Sequence, residues 1–431
     1  MKPIFEIGNN FIRFSFFTIL NKNKVRLVIT FFNKINLCLF FNNKYYISFE
    51  AMSSKYIDNK KYVNQIEIYE KFSPIYTEYK KNPQITTDIK TIAWYLPQFH
   101  TFKENDEWWG KGFTEWTNVK KAKPLYEGHY QPRIPHSDLG YYDLSDINIM
   151  RKQVEIAKNY GLYGFCFYHY DFSGKRLMER PVDNYLNNKD IDFNFCLSFA
   201  NENWTRKWDG NINDILIKQK HSSKDDIRFI DSLQKYFDDE RYIKIDGKPM
   251  LLVYRPLLFP DIKATTDRWR EYQLKKTNKD LFLIFTRSIS KPEHPSNLYG
   301  FDMYVDFNIH NALFTKTVNT GNENSKSYKT FAEDTMNNNE DIAFKELFLL
   351  WDNSPRKKKE YLIMENFNFE IYKKWLKYNI EYTRKNFDEN MRYIFINAWN
   401  EWAEGTYLEP DTDNGYTLLN ILYQELQNKV L

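Results

Sequence analysis

The chain has 431 residues, 78 of them aromatic (11 Trp, 32 Tyr, 35 Phe), with only 14 Gly, 3 Cys and a formal charge of +4. This composition excludes collagen-like and glycine-rich low-complexity chains, disulfide scaffolds and dense zinc clusters. The charge gives no argument for a nucleic-acid partner, and the longest uncharged stretch, 12 residues, is too short for a membrane-spanning helix.

The first 50 residues carry ten Phe, seven Lys or Arg and two acids. Short apolar runs alternate there with basic or Asn clusters, and no small-residue cleavage site follows. The segment therefore does not read as a signal peptide, and the expected location is cytoplasmic. Basic-plus-aromatic segments favour anionic surfaces, so a weak membrane contact through residues 1–50 is one reading. The plainer one is a poorly ordered extension, or a stretch upstream of a true start at Met52. Residues 51–90 read as a helical or irregular lead-in. The expected division is an extension over 1–89 and a catalytic domain over 90–431.

From Lys90 onward, short apolar runs alternate with amphipathic ones. Strands are expected at 92–96, 164–168, 193–200, 250–254, 281–286, 303–307, 347–350 and 393–398. Continuous apolar runs suit strands buried on both faces. Helices are expected at 147–159, 224–237, 265–276, 369–385 and 416–428. Eight strands alternating with helices point to an α/β chain folded as a (β/α)8 TIM barrel with long βα-loop insertions. An open doubly wound sheet is the competitor, weakened by the lack of G-x-G-x-x-G after the first strand.

Barrel chemistry lies at the C-terminal ends of the strands. The first strand ends at His100, and Trp108, Trp109 and Trp116 follow. The second ends in His169 and Tyr170, the third in Asn201, Glu202 and Trp204. The seventh runs into Trp351 and Asp352, the eighth into Asn400, Glu401, Trp402 and Glu404. Indole rings stack on sugar faces, and hydroxyls need paired donors and acceptors. All of these residues are candidate substrate contacts, with Glu401 and Glu404 the candidate catalytic pair. Glycoside chemistry needs two carboxyl groups flanking one bond, and residues three apart in a helical turn are about 5–6 Å apart at Cβ. Trp399 and Trp402 would raise one carboxyl pKa by desolvation. A bare E-x-x-E is more often a solvated helix start; its place after an eighth strand reverses that. No metal or cofactor is expected: H-x-x-x-H and C-x-x-C are absent, and D-T-D-N-G at 411–415 lacks the calcium-loop Glu. Cys166 and Cys196 lie inside strands and read as core.

Long blocks in order carry a family resemblance: A-W-Y-L-P-Q-F-H at 93–100, N-D-E-W-W-G-K-G-F-T-E-W-T-N-V at 105–119, G-H-Y-Q-P-R at 128–133, A-N-E-N-W-T at 200–205, W-D-N-S-P-R at 351–356 and A-W-N-E-W-A-E-G at 398–405. Over roughly 90–425 the chain resembles the WbsX-type proteins, glycoside hydrolase family 99-like proteins of bacterial polysaccharide clusters, often labelled glycosyltransferases. The resemblance implies a (β/α)8 barrel and a carbohydrate-active role on a polysaccharide or oligosaccharide. It extends to endo-α-mannosidases that share N-E-W-x-E-G. Carried over, it implies that Glu401 is a base on the sugar 2-hydroxyl and Glu404 the acid/base at the glycosidic oxygen, a route suited to α-mannosides or α-rhamnosides. Ala403 departs from the larger polar residue of the mannosidases. The alternatives are a glycosyltransferase using an activated sugar and a non-catalytic glycan-binding barrel.

Overall fold

The structure, a computed structural model, describes residues 76–206, 211–287, 296–314, 324–337, 342–357 and 359–428, and the backbone of five strands nearer the N-terminus. The chain divides into two units, Met1–Glu70 and Lys71–Leu431. In the first, Phe5–Gly8, Ile12–Ile19, Lys24–Phe31, Ile35–Phe41 and Ser48–Ser53 pair in order as an antiparallel sheet. An irregular or partly helical extension was the expectation. A period of two runs through this stretch: Val25, Leu27, Ile29 and Phe31 alternate with Lys24, Arg26, Val28 and Thr30, a pattern, broken at Val28, that suits strands. The side chains that would make the membrane contact lie outside the described residues. Among the described residues no helix is long and apolar enough to cross a membrane.

The second unit is built on eight parallel strands: β1 (Lys90–Tyr95), β2 (Gly164–Phe172), β3 (Asn194–Phe199), β4 (Lys248–Val253), β5 (Phe282–Arg287), β6 (Met303–Asp306), β7 (Lys345–Phe348) and β8 (Tyr393–Asn397). Neighbours pair in sequence order, and β8 pairs with β1. Between β6 and β7 the ring closes through one bridge, with the Asp306 N–H donating to the Phe344 carbonyl (3.0 Å) and the Phe344 N–H to the Tyr304 carbonyl (3.0 Å). The expected TIM barrel is the observed fold.

The helices α1 (Ile147–Asn159), α2 (Glu179–Asn187), α3 (Ser223–Ser232), α4 (Ile262–Thr277), α5 (Tyr328–Asn337), α6 (Phe369–Asn386) and α7 (Thr417–Gln427) follow the strands. Side chains of Asp146, Ser222, Asp261 and Asn368 cap α1, α3, α4 and α6 by accepting backbone N–H bonds, a contribution of about 1 kcal/mol each. The helix expected over 224–237 breaks at Leu233, with a separate turn at Gln234–Phe237. Residues 76–89, expected in the extension, pack on the barrel instead. The Lys80 N–H donates to Tyr160 Oη (3.0 Å), and Tyr423 Oη donates to the Pro83 carbonyl (2.9 Å).

Aromatic rings fill the barrel. Trp94 of β1 stacks on Tyr168 of β2 (centroids 5.5 Å) and meets Phe307 edge-on (5.6 Å) and Phe395 of β8 (5.6 Å). Truncating such a residue costs ~3–5 kcal/mol. The seventh strand starts two residues earlier than expected, because its first two side chains are charged yet buried. Lys345 Nζ pairs with Asp306 Oδ2 (3.0 Å), and Glu346 Oε2 accepts from the Asn308 N–H (2.6 Å).

Burial pushes the Glu346 carboxyl from an ordinary 4.5 up to about 8, against hydrogen bonds from Asn308 and Asn397. Burial likewise pushes Glu409 up to about 7. A carboxyl whose folded pKa is raised holds a proton that the unfolded chain has lost. Its stabilising contribution is therefore present below about pH 4.5 and is lost as pH rises through 8. Thermal midpoints are expected to fall between pH 5 and 8, and Glu346→Gln, which keeps an acceptor for Asn308, should flatten that fall. An unchanged slope would contradict the assignment.

Candidate active site

A cavity of about 370 Å³ opens at the C-terminal ends of the strands. Tyr168, Tyr254 and Phe307 contribute aromatic walls; Tyr170, Trp204 and Trp351 add three more rings. The polar lining includes Gln98, Glu202, Arg255, His310, Asn353, Arg356, Glu401 and Glu404.

The two candidate catalytic residues flank a tight turn. Asn400–Glu401 pairs antiparallel with Thr406–Tyr407, and Trp402–Glu404 forms a 3-10 turn between them. Gly405 closes the turn at φ +68, where an added Cβ would stand 2.9 Å from the Asp352 nitrogen. Only glycine suits that combination of positive φ and close approach. Trp402 is fully buried, stacked on Tyr407 (3.8 Å), with its Nε1–H donating to Glu409 Oε2 (2.6 Å). Glu409 also accepts from Tyr142 Oη (2.9 Å) and Gln153 Nε2 (2.6 Å). A buried carboxyl with three donors thus fixes the turn.

One side chain joins the pair. The Arg356 guanidinium donates through Nη2 to Glu401 Oε2 (2.8 Å), contacts Glu404 Oε1 through Nη1 (2.5 Å), and donates through Nε to Glu115 Oε1 (2.7 Å). Two carboxylates on one guanidinium lie within the ~9.5 Å limit for a glycosidase pair. Glu401 is the more buried, its side chain 7% exposed against 24% for Glu404. Burial pushes the Glu401 carboxyl up to about 8; Arg356 pulls it down, while Glu404 and Glu115 push it further up. The expected desolvation is present, and its site is Glu401. Across the cavity Glu202 Oε1 accepts from Arg255 Nη1 (2.9 Å).

Of the candidate contacts, the structure brings Tyr170, Glu202, Trp204, Trp351, Glu401 and Glu404 to the cavity wall. The others lie elsewhere. Asn400 clamps β8 to β1: its Oδ1 accepts from the Leu96 N–H (2.8 Å) and its Nδ2 donates to the Leu96 carbonyl (3.0 Å). Asn201 does the same between β3 and β4, with the Arg255 N–H (2.8 Å) and carbonyl (2.9 Å). Asp352 sits behind the wall. Its Oδ2 accepts from His129 Nε2 (2.7 Å) and Gln131 Nε2 (2.6 Å), and its N–H donates to the Glu404 carbonyl (2.8 Å). Burial pushes the Asp352 carboxyl up, but the His129 hydrogen bond and the Arg133 charge outweigh it and hold it below the usual range.

His169 points away from the cavity, against Phe229 and Tyr236. Strand alternation sends Tyr168 and Tyr170 inward and His169 outward. His100 is buried against the Pro97 carbonyl (2.9 Å), and burial draws its pKa down to about 4. Trp116 is core, its Nε1–H donating to the Tyr142 carbonyl (2.8 Å), and Trp109 packs on Phe113. Trp108 stands one ring beyond the wall, 6.0 Å from Trp204. Sequence reasoning missed Tyr168, Tyr254, Arg356 and Glu115 as site residues. Alternation along β2 would have found the first, and the W-D-N-S-P-R and G-F-T-E-W blocks contain the last two. Among the described residues no cluster of three or more His, Cys, Asp or Glu groups could hold a metal ion.

Asn400→Ala would strand a buried N–H and a buried carbonyl of Leu96, at about 1–3 kcal/mol each. Urea denaturation should show a loss of that order. Unchanged stability with weakened glycan binding would restore Asn400 to the substrate contacts.

Comparisons with known proteins agree with this architecture. A WxcX protein of Xanthomonas campestris pv. campestris (strain ATCC 33913) is 39% identical over 353 residues, 79% of this chain and 50% of its own length; the strain B100 protein is 39% identical over 356 residues with the same coverage. The chain spans about half the length of these relatives. The GH99 endo-alpha-mannosidase of Bacteroides thetaiotaomicron superposes with a TM-score of 0.50 at 17% identity, over 79% of this chain and 98% of that one. A glycoside hydrolase-like protein superposes with a TM-score of 0.52 at 14% identity, over 83% and 99%. At these identities the two structures share the fold. The family described as Glycosyltransferase WbsX matches residues 91–422. With three quarters of its length matched, and with its barrel and strand-end blocks in order, the chain belongs to the WbsX family.

Proposed function

We propose that the chain is a carbohydrate-active enzyme that cleaves α-linked mannose- or rhamnose-type residues of a polysaccharide, with retention, through Glu401 and Glu404. The observation that supports this most is the pair itself: two carboxyls of one turn meet on one guanidinium at the wall of a ring-lined cavity. A sugar face packs against such rings, and its hydroxyls reach the polar lining.

The chemistry balances with this chain's own groups. Glu404, the more exposed carboxyl, gives a proton to the glycosidic oxygen as its bond to C1 breaks. Glu401 takes the proton of the 2-hydroxyl, and O2 closes on C1 from the opposite face. Water then opens the three-membered ring at C1, giving its proton to Glu404 while O2 recovers one from Glu401. Two inversions at C1 amount to retention. An axial 2-hydroxyl, anti to the leaving group, supplies the needed geometry, which is why mannose- and rhamnose-type sugars fit.

Transfer from a nucleotide sugar is the second reading, carried by the family's description. Against it, Arg255 and Arg356 of the cavity wall are both committed to carboxylates, so a diphosphate would have to displace them. Isothermal titration with a nucleotide-sugar panel separates the two; tight binding there would favour transfer.

A hydrolysis screen on α-mannans and α-rhamnans should find turnover that Glu401→Gln and Glu404→Gln each abolish while the fold is kept. Retained activity in either would remove that residue from the chemistry. A base must be unprotonated, so kcat/KM should rise as pH passes the Glu401 value of about 8. A fall through the same pH would make Glu401 the acid and exchange the two roles.

A further inference from the structure

We propose that Glu115, on the insertion after β1, is a positioning residue for the Glu401/Glu404 pair and acts through Arg356. The proposal rests on the glycosidase reading of the pair, though not on a particular sugar.

Glu115 is 0% exposed and lies outside the cavity wall, so no substrate reaches it. Its Oε1 accepts from Arg356 Nε (2.7 Å), while its buried Oε2 has no hydrogen-bond partner. A buried ion pair with an oxygen left unsatisfied adds little to folding, so stability does not account for a carboxylate here. Geometry does. By occupying Nε, Glu115 fixes the rotation of the planar guanidinium, and the two Nη groups then face Glu401 and Glu404. The anchor is itself held by the barrel: the Glu115 N–H donates to the Gln98 carbonyl (3.0 Å), just past β1, and the next residue, Trp116, is core.

The same arrangement sets the charge between the pair. Glu401 faces Arg356 from the loop after β7, Glu404 from its own turn, Glu115 from the insertion, and the phenols of Tyr168 and Tyr170 from β2. The Glu202–Arg255 ion pair stands across the cavity. Three carboxylates share one cation, so the negative charge of Glu115 helps to keep a proton on Glu401 in the resting state. Removing that charge should release it.

The test uses the full chain with 13C-carboxyl-labelled glutamate, titrated by NMR from about pH 4 to 10. The Glu401 resonance is assigned by its loss in Glu401→Gln. In Glu115→Gln, which keeps an oxygen for Arg356 Nε, the Glu401 midpoint is expected about one pH unit below wild type. An unchanged midpoint in a folded variant overturns the proposal. Should Glu115→Gln fail to fold, wild type decides: the Arg356 Nε–H must show slow solvent exchange, and fast exchange overturns it. On a cleaved glycan, at a pH above both Glu401 midpoints so that the base is unprotonated in either protein, kcat of Glu115→Gln should fall about ten- to a hundredfold with KM little changed; an unchanged kcat there overturns the positioning role. The titration needs no substrate. Absence of cleavage would therefore sink the glycosidase reading without touching the result for Glu115.

Discussion

A single buried guanidinium carries three carboxylates, and the geometry of the cavity follows from it. Arg356 comes from the loop after β7, Glu115 from the insertion after β1, and Glu401 and Glu404 from the turn after β8. Segments some 240 residues apart in sequence thus meet at one charge. Desolvating these groups is costly, and breaking one such buried pair typically costs ~3–5 kcal/mol because it strands a partner. With three acids around one cation, burial and the neighbouring Glu404 and Glu115 charges push the Glu401 carboxyl up to about 8, against the pull of Arg356.

The rest of the rim is a frame for that cluster. Asn400 joins β8 to β1, Asn201 joins β3 to β4, and Asn308 joins β6 to β7 by donating from Nδ2 to the Glu346 carbonyl (2.9 Å). Asn400 and Asn201 each satisfy both a backbone donor and a backbone acceptor at a strand end, where the ladder has run out. Behind Glu404, the G-H-Y-Q-P-R block sends His129 and Gln131 to Asp352, and Asp352 holds the Glu404 carbonyl. Behind Trp402 stands Glu409 with its three donors. Much of what looks like sugar-binding chemistry in the blocks is bracing that aims two carboxyls.

The barrel was legible because its strands are buried on both faces and so appear as unbroken apolar runs between amphipathic stretches. β7 was misplaced by two residues for the converse reason: Lys345 and Glu346 look like loop and are buried only because Asp306 and Asn308 partner them. Near the N-terminus, short apolar runs alternating with basic and Asn residues read equally as interrupted segments and as strands. Spacing and place point to Glu401 and Glu404 as neighbours at the strand ends, and both stand at the cavity wall. Tryptophan was a poorer guide. Trp204 and Trp351 line the cavity, but Trp116 and Trp402 turn their indole N–H groups to internal acceptors and serve as core. Composition does not say which face of a loop an indole takes. Arg356 was hidden because its role depends on three partners that sequence order keeps apart.

The central claim is a retaining cleavage by the Glu401/Glu404 pair. It is tested most directly by 1H NMR of the first-formed reducing end released from an α-mannan or α-rhamnan, read before mutarotation. The account predicts the α anomer first. The β anomer first, or no release from these polymers alongside transfer from a nucleotide sugar, would contradict it.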